Sequence, residues 1–199
     1  ADNVVVNATT GTPRDVRIRE VIDYDDAGNP LEVWEGGDVG GSAERITVFT
    51  YDRAGRVKTT TLKDNVNAST PDRVTEFFYD DEDNVTKVTI TQGAETHETR
   101  SDYDAAGRLE RTTIENGADD LITTYDHDEF GNVISMISPR GNAAGITNPQ
   151  DYEVTYDHYV LGRRTHTIAP TVAVQGSADA RPTTIVGYDV FGSITHSQD

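Results

Sequence analysis

Cysteine is absent from this 199-residue chain, so the protein can form neither a disulfide nor a thiolate metal site. Lysine is scarce and the net charge is −18, so the clustered basic residues that bind a nucleic-acid backbone are lacking. The acidic charge also disfavours an anionic membrane surface, and no apolar run approaches the length of a membrane span. No window keeps a 3.6-residue apolar period, which predicts almost no helix. These absences exclude a nucleic-acid partner and membrane insertion, and they favour a chain of strands.

What the sequence has in abundance is a repeated turn. Residues 48–57 alternate β-forming side chains, end in Tyr-Asp, pass two variable residues and a Gly, and then begin a second β-run. Asp at the first position of a four-residue turn can accept a backbone hydrogen bond, and Gly at the fourth supplies the positive φ of a type I turn with a bulge. Seven of the nine tyrosines are followed by Asp. A motif that recurs every 20 to 50 residues is typical of a repeat protein.

Each copy is expected to use its Tyr, Asp and Gly as structural turn residues. Asp83 takes the place of Gly in the third copy, and this turn should form with more strain because Asp tolerates left-handed φ less well. The fifth and sixth copies are expected to be longer by two residues, with His127 and His158 inside the lengthened turns. The predicted turn residues are Tyr24, Asp25, Gly28, Tyr51, Asp52, Gly55, Tyr79, Asp80, Tyr103, Asp104, Gly107, Tyr125, Asp126, Gly131, Tyr156, Asp157, Gly162, Tyr188, Asp189 and Gly192.

The repeats predict an all-β fold, an antiparallel meander of about seven β-hairpins that forms a curled or spiralling sheet. Tight Tyr-Asp turns would lie at one edge of the sheet and loops of variable length at the other. Residues 1–15 are expected to be an N-terminal extension or a strand that continues from a preceding unit, and residues 16–199 the hairpin array. Both ends look abrupt, which suggests a processed subunit or part of a longer array. The repeat tyrosines can form a ladder from repeat to repeat.

These residues resemble the RHS repeats, also called YD repeats, whose consensus runs Tyr-Asp-x-x-Gly-Arg-[Leu/Val]. Residues 51–57 and 103–109 match it at every position, and the other copies match in part. The resemblance implies a long sheet of successive hairpins that spirals into a hollow shell. Such shells occur in bacterial polymorphic toxins, toxin-complex cocoons, wall-associated proteins and teneurins. It implies an exported protein, located outside the cell or at its surface.

Three other kinds of site have weaker signals. Asp80, Glu82 and Asn84 have the alternate spacing of a calcium loop, but the Gly and the distal Glu of an EF-hand loop are missing. An acidic, solvated turn explains the same residues, so no metal site is assigned and no cofactor is expected. Trp34, Tyr152 and Tyr159 are aromatic residues that a glycan could stack on, although strand aromatics usually pack. No nucleophile, metalloprotease or phosphate-loop motif is present, and no enzyme is predicted.

The sequence therefore predicts a non-catalytic structural β-scaffold, a wall segment that continues end to end as a fibre or a longer shell. Its partners would be copies of itself or further repeats, recruited by free strand edges. The alternative is an adhesin or carbohydrate-binding module that uses aromatic side chains on the sheet.

Overall fold

A computed structural model describes residues 3–6, 13–16, 19–37, 44–64, 69–159, 162–172 and 179–198. Within these ranges the chain forms strands and one short 3₁₀ helix, Pro149–Tyr152. The strands are β1 Asn3–Val6, β2 Pro13–Val16, β3 Arg19–Tyr24, β4 Pro30–Glu35, β5 Arg45–Tyr51, β6 Val57–Asp64, β7 Arg73–Tyr79, β8 Val85–Gln92, β9 Glu95–Tyr103, β10 Leu109–Ile114, β11 Leu121–His127, β12 Val133–Ile137, β13 Glu153–Tyr159, β14 Arg163–Ile168, β15 Thr183–Tyr188 and β16 Ile194–Gln198.

The strands follow one another in the sheet as they do along the chain. Strands β3 to β16 form a fourteen-stranded sheet in chain order, and β1 pairs with β2 in a separate two-stranded sheet. The predicted antiparallel meander of hairpins is therefore confirmed. Contacts along the chain define two compact units, Ala1–Asp80 with Lys87–Glu98, and Asp81–Thr86 with Thr99–Asp199. None of the described residues belongs to a helix long and apolar enough to cross a membrane.

In the first unit, the hairpin of β5 and β6 shows why the sequence forms strands. Valine, isoleucine, threonine and aromatic residues fill both strands, and these side chains fit a pleated surface. Cross-strand partners match in size and chemistry, as where the hydroxyls of Thr50 and Thr59 lie 2.6 Å apart. On the neighbouring strand β4, Val33 is 2 % exposed, and from residue 19 on it is the one apolar side chain that is buried among those whose burial is described. Strand pairing therefore contributes more to this fold than a central core does.

In the second unit, one polar side chain from each of two long loops donates hydrogen bonds to strand backbone. Asn142, in the loop between β12 and β13, donates from Nδ2 to the carbonyls of Ile122 and Ile137, at 3.0 and 3.1 Å. Arg181, which precedes β15, donates to the carbonyl of Glu153 at 2.9 Å. Each of these two side chains thus bonds its loop to the backbone of a strand.

Candidate functional site

The tight turns are built around one aspartate carboxylate each. In the hairpin of β5 and β6, Asp52 Oδ1 accepts the backbone N–H groups of Ala54 and Arg56, at 2.9 and 3.0 Å. The N–H of Gly55 donates to the carbonyl of Asp52 at 3.1 Å, and Gly55 has a φ of +82°. The same arrangement recurs at Asp25, Asp104, Asp128 and Asp189.

Asp83 is the one residue other than glycine with a positive φ in the described part of the chain, at +69°. It occupies the fourth turn position after Tyr79 and Asp80, where the other copies carry Gly. Because left-handed φ costs an L-residue energy, the third turn stores strain that the glycine turns avoid.

Hydrogen bonds hold the pKa values of four turn carboxylates, those of Asp25, Asp52, Asp104 and Asp128, below their ordinary range. The side chain of Arg56 is the largest cause at Asp52, and the backbone N–H of Arg108 is the largest cause at Asp104. In two other turns the donor with the largest effect on the pKa is a side-chain amide, Asn29 at Asp25 and Asn132 at Asp128. Neutral and charged donors therefore serve the same turn, and each favours the ionised carboxylate.

Tyrosine hydroxyls tie successive repeats together. Each hydroxyl donates to a backbone carbonyl on the return strand of the preceding hairpin. From the sequence alone, only a row of aromatic rings was predicted at these positions. The four bonds join Tyr51 to Pro30 at 2.7 Å, Tyr79 to Val57 at 2.7 Å, Tyr103 to Val85 at 3.0 Å, and Tyr188 to Arg164 at 2.9 Å. The predicted ladder thus takes the form of directional hydrogen bonds from one repeat to the one before it.

Arginines make the reverse connection, from one repeat to the next. Arg56 Nη1 donates to the carbonyl of Asp80 at 3.1 Å, and its guanidinium lies 4.5 Å from the ring centre of Tyr79. Arg108 reaches the carbonyl of Asp128 at 2.6 Å, and Arg163 reaches that of Asp189 at 3.4 Å. Sequence reasoning missed this role, although the arginine directly after the turn glycine was visible in these three repeats.

One register joins the repeats. We call Tyr24, Tyr51, Tyr79, Tyr103, His127, His158 and Tyr188 the anchor residues, because each stands four positions before the turn residue with positive φ. At five junctions the residue eight positions after one anchor pairs with the residue three positions before the next. The pairs are Glu32 with Val48, Thr59 with Glu76, Arg111 with Thr124, Ser135 with Thr155, and His166 with Ile185.

This register corrects the expectation of two lengthened turns. Strands β11 and β13 continue past Asp126 and Asp157, so that His127 and His158 take the anchor positions. The fifth turn begins at Asp128 because that residue, with Gly131 three positions on, satisfies the four-residue turn, whereas Asp126 does not. The fifth turn therefore has the ordinary length, and in the sixth hairpin His158 pairs with Arg164, six positions on, as Tyr51 pairs with Val57.

The displaced aspartates have other contacts. Asp126 accepts a hydrogen bond from the hydroxyl of Ser135 at 3.1 Å, and Asp157 lies 3.5 Å from Nδ1 of His166. In the sixth turn Tyr159 stands where the other turns have Asp, so this turn has no carboxylate acceptor at that position.

Comparison with known proteins gives the family of this motif. Residues 103–143 match the model of the RHS repeat. The chain contains an RHS repeat. The resemblance inferred from the Tyr-Asp turns is thereby confirmed. The matched segment includes the turn of Asp104, the hydrogen bond from Arg108 to the next turn, and the turn that begins at Asp128. No curated protein sequence matches the chain.

The solved structures that the chain matches include a Tc holotoxin pore and TcdB2-TccC3. The Tc holotoxin pore of Photorhabdus luminescens matches 94 % of this chain at 14 % identity with a TM-score of 0.46, and this chain covers 11 % of its chain. TcdB2-TccC3 matches 99 % at 14 % identity with a TM-score of 0.46, and the share of its chain is 13 %. TcdB2-TccC3-Cdc42 matches 92 % at 16 % identity with a TM-score of 0.47, and the share is 11 %. The chain thus spans about an eighth of the length of these chains.

The weak calcium candidates stay an alternative to a solvated acidic turn. Asp80, Glu82 and Asn84 all lie in or beside the third turn, and each has an interaction with another residue. Within the described ranges, no group of three or more His, Asp or Glu side chains is arranged to hold a metal ion. The carboxylates of Asp25, Asp52, Asp104, Asp128 and Asp189 accept hydrogen bonds from backbone N–H groups of their own turns.

The candidate glycan-binding aromatics differ in their surroundings. Trp34 is half-buried and donates from its indole nitrogen to Glu32, and Tyr152 is half-buried with the guanidinium of Arg140 5.5 Å from its ring centre. Tyr159 is 64 % exposed at the sixth turn. The three rings thus have separate contacts, and the structure gives no reason to group them as one sugar platform.

Proposed function

We propose that this chain is a non-catalytic structural β-scaffold, a wall segment of RHS repeats in an exported or cell-surface microbial protein. In this proposal the wall continues end to end, as a fibre or as part of a longer shell. The observation that supports it is the constant junction between repeats, in which the same register and the same kinds of hydrogen bond return from one hairpin to the next.

The junction geometry supports a wall rather than a binding cleft. Each described junction commits tyrosine hydroxyls, arginine side chains or strand backbone to the neighbouring repeat, and these groups are then not available to a ligand. A protein whose polar groups bond mainly to the next repeat behaves as a quasi-one-dimensional array, in which each unit is stabilised by its neighbours.

The outer edge of β16 supports continuation. Among the described strands, β16 pairs with β15 alone, and all five of its side chains are exposed. An unpaired strand edge presents N–H and C=O groups that recruit another strand. In the proposal that strand belongs to further repeats or to another copy of the chain.

The test is the mass and shape of the chain in solution, by light scattering and negative-stain microscopy over a concentration series. Rods or filaments that lengthen with concentration are the expected result. A compact monomer at every concentration would contradict end-to-end assembly and would direct attention to ligands of the sheet.

A matched pair of proline variants sharpens the test. Neighbouring N–H groups of a strand point to opposite edges, so of His196→Pro and Ser197→Pro one removes a donor to β15 and the other a donor on the outer edge. Amide hydrogen exchange in β15 identifies which is which. We expect the variant that keeps β15 protected to lose assembly, and an unchanged rod length in that variant would argue against the edge.

A further inference from the structure

The three most exposed large apolar side chains of the described residues lie at the tips of tight turns. Phe130 in the fifth turn is 83 % exposed, and Val190 and Phe191 in the seventh turn are each 89 % exposed. Tyr159 in the sixth turn, between them, is 64 % exposed. We call these four residues the tip row. All four belong to the second compact unit, and the strands that carry them, β11 to β16, are consecutive in one sheet. Apolar surface concentrated in this way marks an interaction site.

The other turns show that an apolar tip is not needed to build the turn. The fifth and seventh turns have the same backbone hydrogen bonds as the first, second and fourth. The two central residues of the first four turns are nevertheless polar or small, namely Asp26-Ala27, Arg53-Ala54, Asp81-Glu82 and Ala105-Ala106. A solvated tip is therefore sufficient for the fold, and the rings of the tip row serve something other than the turn.

We propose that the tip row binds the tip row of a second copy of this chain. The interface is isologous, because the same surface is used by both copies. Its two-fold axis is perpendicular to the sheet and passes beside the sixth turn, so that the fifth turn of each copy meets the seventh turn of the other. Phe130 then packs against Val190 and Phe191 of the other copy, and the two Tyr159 rings meet near the axis. The contact joins two arrays side by side, and it does not depend on end-to-end continuation.

The register between repeats makes the tip row self-complementary. From the fifth hairpin to the sixth, and again from the sixth to the seventh, the residue before one anchor lies level with the residue three positions before the next anchor. The two levels are Asp126–Ser135–Thr155 and Asp157–His166–Ile185. Each turn therefore projects two residues, about 7 Å, beyond the turn before it, and lies two strands, about 10 Å, to its side. Because the two steps are equal, a half-turn about the sixth turn places the fifth turn of one copy against the seventh turn of the other.

The exposed area suits a second copy as the partner. A buried aromatic side chain covers about 150–250 Å², so the exposed parts of Phe130, Tyr159 and Phe191 together offer roughly 350–600 Å². Val190 adds to this area. Two copies would then bury on the order of 1,000 Å² in total, which is the lower limit of a specific interface. The contact is therefore a weak dimer that forms as concentration rises.

Charge at the tip row is compatible with this contact. Glu129 is the one charged residue at the centre of the fifth and seventh turns. Arg163 extends to the seventh turn and donates to the carbonyl of Asp189 at 3.4 Å, and the Asp189 carboxylate accepts N–H groups of its own turn. The two-fold arrangement brings Glu129 of each copy to the seventh turn of the other, where Arg163 carries the opposite charge.

Disulfide cross-linking tests the pairing, because the chain has no cysteine of its own. Phe130→Cys and Phe191→Cys are oxidised under mild conditions, separately and as a mixture, and covalent dimers are measured on a non-reducing gel. In the mixed pair the two new thiols face each other, and the second contact keeps both native rings. Equivalent residues of the two copies lie two steps, about 24 Å, apart, which a disulfide cannot span.

We expect abundant dimer from the mixture and little from either variant alone. Equal yields from the mixture and the single variants, or no dimer in any sample, would overturn the pairing.

Two double variants measure what the rings contribute. The first combines Phe130→Asp with Phe191→Asp, and its control combines Ala54→Asp with Ala106→Asp, which makes the same charge change at the same turn position in two other tips. The first should lower the association constant in sedimentation equilibrium at least about 100-fold, because each dimer loses four buried rings. The control should stay within about threefold of the native chain. Losses of similar size in both would overturn the inference.

Negative-stain microscopy of the same samples separates this inference from the scaffold proposal. Rods that form without cross-linking in the mixture overturn the pairing and leave end-to-end continuation standing. Cross-linked dimers without rods do the reverse, and a monomer at every concentration contradicts both. Phosphatidylcholine vesicles test the other partner that apolar tips could have. Co-sedimentation of the native chain with these vesicles, in the absence of cross-linked dimers, would assign the tip row to a lipid surface and overturn the pairing.

Discussion

Replacing Gly55 by valine isolates the energy of one turn. Gly55 has a φ of +82°, and a Cβ built on it would meet no heavy atom within 4 Å. A substitution there therefore causes no collision, and its cost comes from the backbone conformation alone. For a β-branched residue held at positive φ, we expect a loss of about 1–3 kcal/mol.

The chain offers its own control for this change. Asp83 holds the equivalent turn position at a φ of +69°, so Gly55→Asp introduces a residue that the fold already accepts there. Asp reaches left-handed φ more readily than valine because its short polar side chain bonds locally. We therefore expect Gly55→Asp to cost clearly less than Gly55→Val.

Native-state hydrogen exchange is the suitable assay, because a repeat array opens locally and its overall melting can hide the loss of one turn. The reporting amides are those of Gly55 and Asp52, which bond to the carbonyls of Asp52 and Arg56 at 3.1 and 2.9 Å. A loss of 1–3 kcal/mol corresponds to exchange faster by roughly five- to 150-fold in Gly55→Val. If both variants exchange at the rate of the native chain, the positive φ carries no cost and the account of the turn is wrong.

Four further results are expected. The contribution of Asp52 and Asp104 to the free energy of unfolding should be complete above pH about 4 and should fall below it, because their lowered pKa values mean that folding favours the ionised forms. Asp52→Asn should make this acid transition less steep. Tyr79→Phe should cost about 0.5–1.5 kcal/mol in denaturant unfolding through its 2.7 Å bond, whereas Tyr24→Phe, tested below the association range, should cost almost nothing. Asp128→Ala should reduce the hydrogen-exchange protection of the amides of the fifth turn more than Asp126→Ala does. The reverse order would support the longer turn that starts at Asp126. Melting temperatures with and without a chelator should agree, and a rise with calcium would point back to the acidic third turn.

Local pattern was sufficient to predict the hairpins. A turn of Asp, two variable residues and Gly fixes its own hydrogen bonds, so Tyr51, Asp52 and Gly55 specify a hairpin without help from the rest of the chain. The strand content follows in the same way from β-branched residues, and the antiparallel order follows from short connections between successive strands.

What the sequence did not reveal depends on the neighbouring repeat. In the fifth copy, Tyr125-Asp126 and His127-Asp128 both offer a start for the turn; the spacing of Asp128 and Gly131 favours the second, and the pairing of β10 with β11 agrees with it. The arginine bridges were not predicted, because the acceptor of Arg56 is a backbone carbonyl 24 residues away. Every residue has a backbone carbonyl, so the sequence does not show which carbonyl accepts a hydrogen bond. A contact of this kind is identified only when the strands are placed side by side.

Because the register is constant, the two edges of the sheet differ in the changes of length that they tolerate: the turn edge keeps its length, and the loop edge varies. Successive anchors lie as little as 24 residues apart, from Tyr103 to His127, and as many as 31, from His127 to His158. The pairing of one repeat with the next is the same on either side of this variation. All extra length is therefore absorbed in the loops, where insertions cost little. A lineage could lengthen those loops, or graft whole domains into them, while the strand ladder stays in step.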